Sequence, residues 1–273
     1  MIRLSGFIIG LIVPIISFAQ SLTLVDLNLR YDNPNDGVNA WGNRKKTTLN
    51  WLKNQDADLY FFQEVLHHQY IDLQEQLDGY QSYGVGREDG HQKGEYSPIF
   101  FKTNRFELKD TLTIWLSPNP AFPGKGWDAA CERVATLVIL TDKQDGQILV
   151  CINTHWDHVG KIAQQKSAEI ILQLLELCPS PYTILGGDFN VTSEHIGIQN
   201  LSRQLPLVKT PERRDTYHGF NDTIENDQGP IDLIMTCRNL KATKYEYFRH
   251  SNDGQLLSDH DAIRVDMIKM NND

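Results

Sequence analysis

A carboxylate and a carboxamide follow one of the most apolar stretches of the chain. Residues 182–185 form a strand-like run that leads through two glycines to Asp188 and Asn190. Asp and Asn are poor strand formers and are seldom buried without partners, so stability alone does not explain their placement. The same residues also suit a turn, because Gly, Asp and Asn favour turn conformations. The stretch by itself is therefore consistent with either a turn or a functional site.

Polar residues also stand at the ends of five other predicted strands. Each has an ordinary structural explanation when taken singly, such as a strand-end turn or a solvated carboxylate. Six such groups together indicate a shared site, because the loops at one end of a sheet structure commonly carry function. The groups are Asn28, Gln63 with Glu64, Asn153 with His155, Asp188 with Asn190, Asp232, and Asp259 with His260.

These residue types suit the hydrolysis of a phosphoester. Glu64, Asn28 and Asp259 offer the hard oxygen ligands that Mg²⁺ prefers, with Mn²⁺ as an alternative ion. Zinc is less favoured, because histidines are few and the four cysteines show no CxxC spacing. A metal ion held there would polarise a phosphoryl oxygen and stabilise the departing oxygen.

The remaining polar residues have the chemistry of the hydrolytic step. Asp188 is predicted to orient or deprotonate the attacking water, and Asn190 to hold the phosphate or a metal-bound oxygen. His260 and His155 are predicted to donate hydrogen bonds to phosphoryl oxygens as charge develops in the transition state. Asp232 is predicted to fix the tautomer and charge of His260.

Arg30, Arg87 and Tyr96 are candidate substrate-binding residues, and each is equally consistent with a structural hydrogen-bonding role. Among the tryptophans, Trp156 is the one predicted to touch the substrate, because it is next to His155 in the chain.

The composition constrains the partner. Of the 273 residues, 40% are hydrophobic and 22% are charged, as in ordinary globular proteins, but the formal net charge is −9. Proteins that grip long nucleic acids usually present a basic surface. The sequence therefore favours a small phosphoester as substrate, or a bound cation that supplies the missing positive charge, with nucleic acid as the alternative substrate.

The N-terminal segment is typical of a secretory signal peptide. Arg3 gives a positive start, residues 7–18 are almost wholly apolar, and Ser17 and Ala19 occupy the two positions that signal peptidase reads. The run is short and is interrupted by Pro14, which argues against a membrane span. We therefore predict a signal peptide over residues 1–19 and a secreted or periplasmic protein without a membrane anchor. Residues 20–273 are predicted to form one domain that acts as a monomer.

The order of elements predicts an α/β protein. Amphipathic helices are predicted over residues 44–54 and 161–178. Several strands, such as residues 134–140, are apolar on both faces and need cover on each side. Two mostly antiparallel sheets packed together, with helices outside, form a four-layer α/β/β/α sandwich that meets this need. The strands are predicted at residues 22–29, 58–62, 97–101, 134–140, 148–153, 182–185, 231–235 and 262–268.

The motifs and their order resemble those of the endonuclease/exonuclease/phosphatase superfamily, which includes the DNase I-like nucleases. The likeness extends over nearly all of residues 20–273, and it is strongest to secreted bacterial members through residues 27–33, 84–90 and 94–99. It implies the DNase I-like sandwich and the roles given above for the metal-binding, water-activating and phosphate-binding residues. It is carried by Asn28, Gln63-Glu64, Asn153-Thr154-His155, Gly187-Asp188-Phe189-Asn190, Ile231-Asp232 and Ser258-Asp259-His260.

The leading hypothesis is a secreted, Mg²⁺-dependent phosphoesterase that hydrolyses a phosphodiester or a phosphomonoester. An extracellular nuclease acting on DNA or RNA is the alternative within the same class, since a bound metal ion would offset the shortage of positive charge. An inactive binding module that keeps the fold is the alternative from another class. Such a module would be expected to lack one or more of the strand-end residues, and the sequence retains them all.

Overall fold

A computed structural model describes residues 21–210, 212, 214–222 and 228–270. The predicted signal peptide lies outside these residues. The helices are α1 (Trp41–Gln55), α2 (His67–Gln76), α3 (Lys161–Leu177) and α4 (Ile196–Ser202), with a 3₁₀ segment at Pro34–Asn39. The strands are β1 (Ser21–Asn28), β2 (Leu59–Gln63), β3 (Tyr80–Tyr83), β4 (Ile99–Lys102), β5 (Phe106–Trp115), β6 (Val134–Asp142), β7 (Ile148–His155), β8 (Tyr182–Asp188), β9 (Asp232–Thr236), β10 (Leu240–Phe248) and β11 (Ala262–Lys269). None of the helices in these ranges is long and apolar enough to cross a membrane.

The strands form two sheets. The first has the order β10-β11-β1-β2-β4-β3, and the second has the order β5-β6-β7-β8-β9. Neighbouring strands are antiparallel except for the pairs β1–β2 and β7–β8, which are parallel. The prediction of two mostly antiparallel sheets is confirmed.

Three apolar clusters hold the layers together. The central cluster joins the sheets, with Phe61 of β2 in the first sheet and Ile184 of β8 in the second. A second cluster includes Leu52 of α1 and Leu73 of α2 on the outer face of the first sheet. A third includes Ile171 of α3, together with α4, on the outer face of the second sheet. The four-layer sandwich is therefore the observed fold.

The inner strands are apolar on both faces because both faces are covered. In β2, Leu59 and Phe61 join the central cluster, whereas Tyr60 and Phe62 join the outer one. This assignment follows from the alternation of side chains along a strand. Full burial of a side chain of this size contributes about 1.5–3 kcal/mol. The absence of polar alternation in the sequence thus reflects two-sided burial.

The same alternation places polar residues between the sheets at one end of the core. In β8, Ile184 and Asp188 are an even number of residues apart and so lie on the same face of the sheet, and the same holds for Ile234 and Asp232 in β9. In β1, Asn28 lies on the same face as Leu24. The inner faces of both sheets therefore change from apolar to polar within one or two pleats of this end.

The strands that the sequence did not predict all lie at sheet edges. β3 and β10 are the outer strands of the first sheet, and β5 is an outer strand of the second. Edge strands carry polar and charged residues that limit pairing with other chains, which weakens their apolar pattern. The burial of β5 shows this, since its middle is largely exposed or half-buried.

A buried ion cluster joins the sheets at the end opposite the polar one. Asp142, at the end of β6, accepts hydrogen bonds from Arg105 (3.0 Å) and from Lys269 of β11 (2.7 Å). Burial alone would raise the pKa of Asp142, but the hydrogen bonds from these two cations lower it below its ordinary value. Asp142 therefore stabilises the fold as a carboxylate.

We predict that Asp142→Asn lowers the free energy of unfolding. Loss of the charge leaves Arg105 with Asp58 and Lys269 with Asp145 as remaining partners. The expected cost is about 2–3 kcal/mol, somewhat less than for a buried pair that loses its only partner. Denaturant unfolding at neutral pH measures this difference.

The difference should depend on pH in one direction. A depressed pKa in the folded state means that the stabilisation is present above the unfolded pKa and is lost as the pH falls through the folded value. The variant and the parent protein should therefore converge below about pH 4. Glu107→Gln, which removes an exposed ion pair with Lys109, is the matched control and should leave stability unchanged. Equal stability of the parent and Asp142→Asn at neutral pH would contradict the prediction.

Candidate active site

A cleft of about 490 Å³ opens at the polar end of the two sheets. It is lined by side chains from both sheets and from the loops that follow their strands. The lining residues are Arg30, Tyr31, Glu64, Arg87, Glu95, Cys131, Arg133, His155, His158, Asp188, Asn190, Tyr217, Ile231, Asp259 and His260. Two predicted residues, Asn28 and Asp232, lie buried directly behind this surface.

Strand β8 carries Asp188 into the cleft without a turn. The sequence analysis ended this strand at residue 185 and allowed a turn at the residues that follow, but the strand continues to Asp188 and pairs on both sides. Gly187 has a φ of 129°, and a Cβ atom there would lie 2.0 Å from the carbonyl oxygen of Thr154. Glycine is therefore required for the close approach of β7, and the chain turns later, at Asn190, where φ is 52°.

Asp188 lies at the centre of the polar groups. Its Oδ1 accepts a hydrogen bond from the backbone N–H of Asn190 (2.8 Å), and its Oδ2 accepts one from Nδ2 of Asn28 (3.0 Å). Nε2 of His155 lies 3.5 Å from the same Oδ2. Burial and the nearby charge of Asp232 raise the pKa of Asp188 to about 7. That value suits a group that exchanges a proton near neutral pH.

His260 and Asp232 form a buried pair beside Asp188. Nδ1 of His260 lies 2.8 Å from Oδ2 of Asp232, and its Nε2 lies 3.8 Å from Oδ2 of Asp188. Burial alone would lower the pKa of His260, but the two carboxylates raise it well above its ordinary value. The imidazole is therefore held in its charged form, with Nε2 directed towards Asp188.

His155 has the opposite electrostatics. Burial lowers its pKa well below the ordinary value, and the charges of Arg133 and Arg87 lower it further. The two histidines near Asp188 thus differ in charge, because His260 has a carboxylate partner and His155 has cationic neighbours.

The three residues predicted to bind metal lie together. Nδ2 of Asn28 is 3.2 Å from Oε1 of Glu64, and the guanidinium of Arg30 lies 3.8 Å from Glu64 and 3.6 Å from Asp259. Burial and the repulsion of Glu64 raise the pKa of Asp259. Clustered oxygen donors whose charges destabilise one another are the donor set expected of a site for a hard divalent cation. The residues present therefore fit such an ion.

A second buried group of potential ligands overlaps this region. Asp188, Asp232 and His260 offer ligand atoms within 4.8 Å of one another. Within this group Asp232 and His260 are hydrogen-bonded to each other. Asp188 therefore lies between the His260–Asp232 pair and the carboxylates around Glu64.

Three of the six non-glycine residues with positive φ in the described part of the chain line the cleft. Arg30, Glu64 and Asn190 all have positive φ values, of 60°, 56° and 52°. Non-glycine residues in this region cost of order 1 kcal/mol or more, and they persist where surrounding contacts fix them. The side chain of Asn190 is fixed by a 2.9 Å hydrogen bond to the carbonyl oxygen of Trp156.

The predicted substrate-binding arginines line the cleft, each in an ion pair. Arg30 makes two hydrogen bonds to Asp36, of 3.0 and 3.1 Å. Arg87 makes two to Glu95, of 2.7 and 2.8 Å. The sequence interpretation did not assign Asp36 or Glu95, because the pairing depends on the folded loops.

Two sequence expectations are corrected by the structure. Tyr96 is buried behind the cleft wall, where its hydroxyl donates to the carbonyl oxygen of His91 and lies 2.9 Å from Nδ1 of His67. Trp156 is completely buried in the core of the second sheet, where it packs edge-on against Phe189. Neither side chain is placed to touch a substrate.

Sequence reasoning missed several other lining residues, among them Tyr217 and Cys131. Tyr217 is half-exposed, and its ring lies 5.0 Å from that of His260. Cys131 is one of four free cysteines, whereas the other three do not line the cleft. Neither residue belongs to a strand-end motif, so the pattern that identified the other residues gave no signal for them.

Comparisons with known proteins agree with the fold. The model of the endonuclease/exonuclease/phosphatase family matches residues 27–260. A family member from Bacteroides vulgatus is 32% identical, with a TM-score of 0.86 over 92% of this chain and 99% of its own. A mannosyl-6-phosphatase from Bacteroides thetaiotaomicron is 29% identical, with a TM-score of 0.82 over 90% and 99% of the two chains.

More distant likenesses concern the fold alone. The catalytic domain of human Nocturnin is 18% identical, with a TM-score of 0.71 over 92% of this chain and 94% of its own. A search among curated proteins gave no significant match.

The chain belongs to the endonuclease/exonuclease/phosphatase family, since the family match includes most of its length. It has the DNase I-like sandwich fold and is a phosphoesterase of the hydrolase class.

We predict that Gly187→Ala disrupts the site. The new methyl group would collide with Thr154, and relief of the collision must displace Asp188 relative to its neighbours. A displacement of about 1 Å is expected to lower phosphoesterase activity roughly 100-fold. Steady-state hydrolysis and thermal unfolding of the variant measure the effect.

Gly42→Ala is the matched control for this substitution. Gly42 lies in α1, and a Cβ atom there would contact nothing within 4 Å. This variant should keep full activity and stability. Normal activity of Gly187→Ala would show that the β7–β8 approach does not position Asp188.

Proposed function

We propose that this protein is a secreted, Mg²⁺-dependent phosphoesterase whose general base is Asp188. The observation that carries the proposal is the position of Asp188 between two unlike sets of groups. On one side lie the carboxylates Glu64 and Asp259 with Asn28, whose Nδ2 donates to both Glu64 and Asp188, and on the other lies the His260–Asp232 pair. A metal-assisted attack of water on phosphorus can use both sets, the first to hold the ion and the second to stabilise the charge that develops on phosphoryl oxygens.

Glu64, Asn28 and Asp259 are the proposed metal ligands, with Mg²⁺ favoured and Mn²⁺ as the alternative. When bound, the ion would neutralise charge on the phosphoryl group and on the leaving oxygen. Arg30 adds positive charge beside Glu64 and Asp259, while its bidentate pair with Asp36 fixes its position.

The protein side chains account for the proton movements of hydrolysis. Asp188 accepts a proton from the attacking water as the new oxygen–phosphorus bond forms and the bond to the leaving oxygen breaks. Water from solvent supplies the proton that the leaving alkoxide takes up. Charged His260 donates a hydrogen bond from Nε2 to a non-bridging oxygen, and Asp232 keeps its Nδ1 protonated and oriented.

His155 and Asn190 complete the proposed phosphoryl site. Both line the cleft, and both contact or adjoin Asp188. His155 supplies a second donor to the phosphoryl oxygens. Asn190 holds the phosphate or the water through its side chain, whose amide is already fixed by Trp156.

A small phosphoester is the proposed substrate. The formal net charge of −9 opposes the counterion-driven binding that long nucleic acids require. The similarity to a mannosyl-6-phosphatase supports a phosphomonoester of a sugar. We further propose that the protein acts as a monomer.

We predict that Asp188→Asn and His260→Ala each abolish most of the activity. Loss of a positioned general base or of a transition-state donor is expected to lower kcat roughly 10²–10⁴-fold. Hydrolysis of phenyl phosphate, a hexose 6-phosphate and bis(p-nitrophenyl) phosphate should be measured with Mg²⁺, with Mn²⁺ and with EDTA. EDTA should stop the reaction, and either ion should restore it.

His68→Ala is the control, since His68 is exposed and lies outside the cleft lining. It should keep full activity. Hydrolysis that survives both EDTA and the Asp188 substitution would overturn the proposed function. Greater activity on single- or double-stranded DNA than on the small esters would support the nuclease alternative.

We propose secretion with cleavage after Ala19. Expression of the full chain in a bacterial host should place it in the periplasm or the medium, with Gln20 as the first residue by N-terminal sequencing. Lys or Glu in place of Ala19 should block cleavage, because signal peptidase requires a small residue there. A cytoplasmic product that retains Met1 would contradict the proposal.

A further inference from the structure

The cleft contains a second polar region beside the proposed phosphoryl site. We name it the Arg87–Glu95 wall; it consists of Arg87, Glu95, Arg133 and His158, all of which line the cleft. We propose that this wall binds hydroxyl groups of a sugar or similar polyol esterified to the phosphate, and that Glu95 determines this specificity. The inference rests on the proposed phosphoesterase function.

The wall begins next to the reacting groups. Oε2 of Glu95 lies 3.9 Å from Nδ1 of His155, whose Nε2 lies 3.5 Å from Asp188. The width of one imidazole ring therefore separates the wall from the general base. A group attached to a phosphate at Asp188 would extend along this surface.

The wall is rigid because its loop is extensively hydrogen-bonded. The backbone of Arg87 donates to the carbonyl oxygen of Glu95 (3.1 Å), and Glu88 donates to Lys93 (3.0 Å). The indole of Trp115, in β5, donates to the carbonyl oxygen of Arg87 (2.7 Å) and fixes the loop to the second sheet. A fixed surface loses little conformational entropy when it binds a ligand.

Charge balance favours neutral hydroxyl groups over a second phosphate. The guanidinium of Arg87 is paired with Glu95 through two hydrogen bonds, and that of Arg133 lies 3.4 Å from Asp157. Each cation of the wall thus has its own carboxylate. A second phosphate would place further negative charge beside Glu95, whereas a hydroxyl adds none.

Glu95 has the bonding capacity to accept from hydroxyl groups. Its two oxygens receive one hydrogen bond each from Arg87, whereas an ionised carboxylate accepts about four. Two acceptor positions therefore remain, and the side chains of Arg87 and Glu95 are still partly exposed, at 12% and 15%. Adjacent hydroxyls of a sugar ring present donors at a spacing that a carboxylate can accept together.

The test compares two phosphomonoesters that differ in their leaving group. Phenyl phosphate has no hydroxyl groups, and a hexose 6-phosphate has several. We expect Glu95→Gln, which keeps the size of the side chain, to lower kcat/KM for the hexose 6-phosphate about tenfold or more. Phenyl phosphate should change by less than about threefold, because its phosphoryl site is intact. Arg87→Lys, which loses the bidentate geometry, should show the same selective loss.

Glu88→Gln is the matched control on the same loop. It removes an ion pair with Lys93 that is exposed and lies outside the cleft lining. This variant should hydrolyse both esters like the parent protein. Thermal unfolding of each variant checks that the loop remains folded.

Several outcomes would overturn the inference. An equal loss on both esters would assign the wall to phosphoryl binding, and an unchanged ratio in Glu95→Gln would remove its specificity role. A parent protein that prefers a hexose 1,6-bisphosphate about tenfold over the 6-phosphate would indicate a second phosphate site. Failure of the parent protein to hydrolyse either ester with Mg²⁺ would instead overturn the proposed function itself.

Discussion

Four carboxylates lie close together at the cleft end of the apolar core, and the polar end of the molecule is organised around their repulsion. Glu64, Asp188, Asp232 and Asp259 come from both sheets, and burial raises the pKa of Asp188 and Asp259. Isolated, such charges would be costly to bury. The structure offsets the cost with charged His260 and with amide and guanidinium donors, and a divalent cation would complete the balance. The groups that stabilise the carboxylates are therefore also the groups that would act on a phosphate.

The sheets hold these charges in place by ordinary strand geometry. Alternation along each strand continues the inner face from apolar to polar residues, and hydrogen bonds between amides join the sheets just below the cleft. Gln63 donates to Asn153 across the interface (2.7 Å), and Asn153 donates to the carbonyl oxygen of Phe62 (2.7 Å). At the opposite end, Asp142 joins the sheets through Lys269. The core is thus closed by polar contacts at both ends, and only one end is open to a ligand.

The two regions of the cleft have different tasks. Around Asp188 the groups are highly charged and strained, as expected where charge develops during a reaction. Along the wall each cation is neutralised by a carboxylate, as expected where a neutral group is recognised. The two regions meet at His155, which lies 3.5 Å from Asp188 and 3.9 Å from Glu95.

The fold class could be predicted from the sequence, and so could most of the polar residues that the structure brings together around Asp188. Strands that are apolar on both faces require two covered sheets, and Asp188, Asn190 and the Asp259–His260 pair are short motifs whose residue types carry their chemistry. Only the tertiary structure decided which groups are paired, because those contacts join loops far apart in the chain. Trp156 is adjacent to His155 in sequence, yet the pleat directs the two side chains to opposite faces of the sheet, and Trp156 lies in the core. The edge strands were not predicted, and Gly187 was expected to suit a turn, for a related reason. Both depend on contacts with neighbouring strands, which a local sequence pattern does not show.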